Sequence, residues 1–147
     1  MVGFGVTIRN VYVSRRAAER AEAASMDTRQ ALRLFDTIQE LASAVAALEE
    51  VKRLHRERAW PTLPERYSSL RKSLITIRRT SESLTEDQQS RLQAAITFLV
   101  DMEKRVDRSI DDGQPIEKIA RFNDLASSHA IELHELLLEI RLQSGAK

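Results

Sequence analysis

Glu132, His134, Glu135 and Glu139 form the densest group of metal-binding or proton-handling side chains in the sequence. A di-metal helical bundle needs a glutamate followed three residues later by a histidine, repeated on facing helices. None of His55, His129 and His134 has a glutamate three residues before it. A zinc-protease helix needs His, Glu and a second His four residues after the first. His134 and Glu135 begin that pattern, but Leu138 stands where the second ligand should be. The group therefore reads as a solvated polar face. His129 lies beside an apolar stripe and is expected to be a hydrogen-bonded boundary residue. His55 lies in a charged run and is expected to face water. No serine sits in a glycine-flanked elbow, no phosphate-cradling glycine loop occurs, and there is no cysteine. The expectation is a protein without catalytic residues, metal, cofactor or small-molecule substrate, and hence not an enzyme.

Cations form a second constellation. Lys52, Arg53, Arg56 and Arg58 close one helical segment, and Arg66, Arg71, Lys72, Arg78 and Arg79 populate the next. Arg53, Arg56, Arg71, Lys72, Arg78 and Arg79 are the candidate anion-binding residues. Cations near a helix C-terminus favour its dipole, and a basic helix beside an acidic one forms surface ion pairs. The alternative is an anionic partner such as RNA, DNA or lipid headgroups. The formal net charge is only +1, and Trp60 and Tyr67 offer little surface for stacking bases. Nucleic-acid binding is therefore the second reading.

The third constellation is N-terminal. Gly3 to Ile8 is an apolar stub, followed by Arg9, Arg15, Arg16 and Arg20. Apolar residues followed by arginines mark the cytoplasmic end of a membrane helix. The stub is shorter than the roughly 20 residues that span a bilayer, so it would rest in the interface. Candidate membrane-contact residues are Phe4, Val6, Ile8, Arg9, Arg15 and Arg16. The competing reading packs this strip on protein.

The elements that must position these residues are helical. The 147 residues include only 4 Gly and 3 Pro, and none of either lies between Val6 and Trp60. Ala31, Leu34, Ile38, Leu41, Val45 and Leu48 recur at steps of three and four, widened by Leu32, Phe35, Ala42 and Val51. Upstream, the helix either continues or restarts near Asp27, which Gln30 could help cap. Pro61 and Pro64 are expected to end it, with Trp60 and Leu63 extended. Thr62 and Glu65 read as a capping box opening a second helix with Tyr67, Leu70, Leu74 and Ile77 inward, ending near Arg79. Thr85 to Gln88 reads as a second box. It opens a third helix with Leu92, Ala95, Ile96, Leu99, Met102, Val106 and Ile110 inward and Gly113 as its stop. Pro115 is expected to open the fourth, with Ile116, Ile119, Ala126, Leu133, Leu137 and Ile140 inward.

Three blocks, Gly3 to Ile8, Trp60 with Arg66 to Arg78, and Leu84 to Gln89, together resemble a loose group of uncharacterised bacterial proteins. In that group a single N-terminal membrane helix precedes a cytoplasmic helical domain. The resemblance implies the same arrangement and no particular activity.

The expected fold is all-α: an up-down antiparallel four-helix bundle over 27–147 with a helical extension over 1–26. The expected function is a non-enzymatic, self-associating interaction module. It would be cytoplasmic and associated with the inner face of a bacterial membrane, with a second copy or another protein as partner.

Overall fold

The computed structural model describes the backbone of residues 2–145 and the side chains of residues 13–145. Those residues form four α-helices and no strand: α1 (Val2–Arg56), α2 (Leu63–Thr80), α3 (Glu86–Asp112) and α4 (Ile119–Gly145). A 3-10 turn, Trp60–Thr62, precedes α2. The chain divides into two compact units, Met1–Phe35 and Asp36–Lys147.

α1 runs without interruption, because nothing between Val6 and Trp60 removes an amide or demands a left-handed backbone. The restart at Asp27 does not occur. Thr28 Oγ1 donates back to the Ala24 carbonyl at 2.9 Å, a bond made inside a continuing helix. Every described side chain from Val13 to Arg33 is exposed.

In the second unit, α1 buries Ile38, Leu41, Ala44, Leu48, Val51 and Leu54 at helical spacing. Leu34 and Val45, expected inside, are half-buried, while Leu32 and Phe35 are 58% and 57% exposed. Periodicity selects a helix face, but burial also needs a neighbour alongside.

α1 ends before the prolines act. Arg58 adopts a left-handed backbone (φ 56°), and the Ala59 and Arg58 amides return to the Leu54 and His55 carbonyls at 3.0 and 3.2 Å. This is a Schellman closure with arginine where glycine is usual. The expected extended backbones also fail. Trp60 lies in the 3-10 turn, and Leu63 is helical (φ −73°, ψ −42°). Leu63 is fully buried, and Pro64 lies in the first turn of α2, where a missing amide costs no helical bond. Packing thus overrides the local steric preference.

Thr62 does not form a capping box. Its backbone is helical, and its hydroxyl donates to the Ala59 carbonyl at 2.8 Å. Thr85 does: extended (φ −70°, ψ 163°), it accepts from the Gln88 amide at 3.2 Å, while its own amide donates to Gln88 Oε1 at 3.0 Å. Thr85→Ala should therefore cost about 1 kcal/mol in a denaturant titration, and Thr62→Ala far less. Equal costs would show that the box contributes nothing.

Gly113 (φ 64°) ends α3 as expected. Pro115 does not open α4, which starts at Ile119 after a left-handed Lys118 (φ 62°). Residues 113–118 are a connection, which leaves Ile116 and Ile119 half-buried and Ile110 46% exposed. The remaining core is contributed by Tyr67, Leu70, Leu74 and Ile77 of α2 and Leu92, Ile96, Leu99 and Val106 of α3, with Leu133, Leu137 and Ile140 of α4. Phe98, Phe122, Ala130 and Leu136 are also buried.

Candidate interaction surfaces

His55 does not face water; its exposure is 0%. It follows Leu48 by seven residues and Val51 by four, which places it on the buried face of α1. Its Nδ1–H donates to Asn123 Oδ1 of α4 at 2.8 Å, and its Nε2 accepts from the Tyr67 hydroxyl of α2. The Trp60 ring lies 5.8 Å away, centroid to centroid. Burial pushes the imidazole below its usual pKa, opposed by the Asn123 hydrogen bond, and pushes the Tyr67 phenol upward. Three helices are thus joined through one neutral imidazole. A sealed group of this kind orders the interior.

His129 is half-buried, and its ring stacks on Phe98 at 4.8 Å rather than forming a hydrogen bond with described residues. His134 is exposed. Glu139 leaves the solvated face expected for it. It is half-buried and accepts from Arg91 of α3 at 2.6 Å and from Gln88 Nε2 at 3.1 Å. Those two donors, Arg91 first, hold its carboxyl below the usual range. Among the described residues no three His, Cys, Asp or Glu side chains are placed to hold one metal ion.

The six candidate anion-binding residues have different surroundings. Arg53 pairs with Glu50 and Glu57 of its own helix. Arg71 pairs with Glu103 of α3 at 3.1 Å, and Arg78 donates to Gln93. Arg56, Lys72 and Arg79 are exposed. Half of the set is thus engaged by protein acceptors. Of the N-terminal candidates, Arg15 and Arg16 are exposed, while the side chains of Phe4, Val6, Ile8 and Arg9 lie outside the described residues. Among the described residues no helix is long and apolar enough to cross a membrane.

No family model, curated protein or solved structure matches the chain.

The surface itself then carries the functional information. Val13, Met26, Leu32 and Phe35 on α1 are each 57–58% exposed. On α4, Ile131, Leu138 and Leu142 are 59%, 42% and 74% exposed. Their spacing of seven and four puts them on one face, opposite the buried Leu133, Leu136 and Ile140. The inward stripe of α4 does not predict this outer one, although both follow the same period.

Proposed function

We propose that this protein is a non-enzymatic interaction module that self-associates through the helix of its N-terminal unit, at the inner face of a bacterial membrane. One observation carries the reading: every described side chain from Val13 to Arg33 is exposed, Val13, Met26 and Leu32 among them. A helix gains most of its stability in water from burying an amphipathic face, not from propensity. The stretch over 13–33 buries none of its side chains in its own chain, and its exposed apolar residues suit a partner.

Ala17, Ala21, Ala24, Ala31 and Phe35 recur at helical spacing and form a narrow seam that lets two backbones approach closely. A second copy supplies the same seam in return, as two-fold association requires. Arg15 and Arg16, with the apolar Phe4, Val6 and Ile8 before them, suit an anionic membrane surface. The resemblance to bacterial proteins with an N-terminal membrane helix points the same way. The short connections at 57–62, 81–85 and 113–118 favour an up-down antiparallel order for the four helices. Nucleic-acid binding is the weaker alternative, since Arg53, Arg71 and Arg78 are engaged within the protein.

The test is sedimentation equilibrium of the full chain beside an Ala24→Glu, Ala31→Glu variant. The wild type should sediment as an oligomer and the variant as a monomer with unchanged melting of its remaining core. A monomeric wild type would overturn self-association. Vesicle flotation of a Phe4→Asp, Ile8→Asp variant tests the membrane part, which fails if wild type and variant float equally or neither floats.

A further inference from the structure

A cleft of about 540 Å³ lies where α3 gives way to α4. Arg105, Arg108 and Asp112 line it from one face of α3, and Glu117, Lys118 and Arg121 line it from the connection and the first turn of α4. Its floor is the ring of Phe122, 6% exposed, with the Arg105 guanidinium 5.7 Å from the ring centroid.

Four cations thus surround one concavity against two carboxylates. None of the four forms an ion pair within the described residues, whereas Arg53, Arg71 and Arg91 all do. Asp112 and Glu117 lie in the same lining without reaching salt-bridge distance of any of them. Like charges gathered around one concavity raise a positive potential there. The cleft is lined by both the last turn of α3 and the first turn of α4, so the two helix dipoles oppose each other and the potential rests on the side chains.

We propose that this cleft binds a phosphate-bearing small molecule carrying at least two negative charges, held by Arg105, Arg108, Lys118 and Arg121. Guanidinium groups present planar forks that match phosphate oxygens, and three of the four cations are arginines. At least two charges are needed on the ligand because Asp112 and Glu117 repel it. The volume falls within the roughly 300–1,000 Å³ of small-ligand sites. The only aromatic ring in the lining is buried beneath Arg105, so the cleft offers no stacking platform for unpaired bases.

Two probes separate the sources of such a phosphate: inorganic pyrophosphate in solution, and phosphatidylcholine vesicles with and without phosphatidic acid. The variants are Arg108→Gln with Arg121→Gln, both exposed positions, and Arg56→Gln with Arg79→Gln as a control for diffuse charge. Melting temperatures without ligand should match the wild type. In calorimetry at low salt, the cleft variant should bind pyrophosphate roughly tenfold more weakly or worse, and the control within about twofold of wild type. The same ranking in phosphatidic-acid flotation assigns the phosphate to a lipid headgroup, and the ranking with pyrophosphate alone assigns it to a soluble molecule. The proposal is overturned if the wild type binds neither probe, or if the cleft and control variants lose affinity equally.

Discussion

Leu41→Ala and Leu74→Ala should each lower the unfolding free energy by about 2–5 kcal/mol, because both side chains are fully buried and the holes left behind cannot close completely. Leu41 lies on α1 and Leu74 on α2, so the pair samples two walls of one core. Leu142→Ala is the control. Leu142 lies on α4, outside the helix proposed to self-associate, is 74% exposed, and its loss should change stability by less than about 0.5 kcal/mol. Urea titration of the three variants reads the contrast directly. A Leu41→Ala protein with an unshifted midpoint would mean that α1 presents a different face to its neighbours.

His55→Leu should cost about 1–3 kcal/mol at neutral pH. It strands the buried Tyr67 hydroxyl, and an unpaired buried polar group costs about that much, while the half-buried Asn123 oxygen loses its donor with water within reach. The wild type should also carry an acid-sensitive component. Burial lowers the folded-state pKa of His55 below the 6.5 of the free side chain, so the unfolded chain takes up its proton first as the pH falls. The stability held by neutral His55 is complete above about pH 6.5 and declines below it, by at most about 1.4 kcal/mol per pH unit. His129 is shifted downward by burial as well, offset in part by Glu132, and contributes with the same sign. Glu139 is lowered from 4.5 and loses its contribution only at more acidic pH. Denaturant midpoints at pH 7.5, 6.5 and 5.5 should fall for the wild type and flatten in His55→Leu to the slope His129 supplies. Identical slopes in the two proteins would remove His55 as the source.

Helix faces were legible because a 3.6-residue period writes itself into apolar spacing. Leu92, Ile96, Leu99 and Val106 show this on α3. How far a neighbouring helix extends leaves no such mark. Leu32, Phe35 and Ile110 continue their stripes past the point where anything covers them. His55 was misread because Lys52, Arg53 and Arg56 surround it in sequence, although its step of seven from Leu48 already placed it inward. The Thr62 motif matched a capping box in letters but not in backbone angles, which the packing of Leu63 decides. The α3–α4 cleft was invisible for another reason. Its cations come from two helices and a connection, and residues on different elements share no periodicity until the chain has turned back on itself.

The bond between His55 and Asn123 spans 68 residues, and that from Asn123 to the Lys52 carbonyl spans 71. α2 and α3, by contrast, are neighbours in sequence and pack together. On a ribosome adding roughly 5–20 residues per second, Asn123 follows His55 by roughly 3–14 seconds. Until then the wall of Phe122, Ala126, Leu133 and Leu136 is missing, and the interior cannot close. The apolar faces that α4 covers in the finished protein are therefore open throughout that interval, when an incomplete chain is most prone to association.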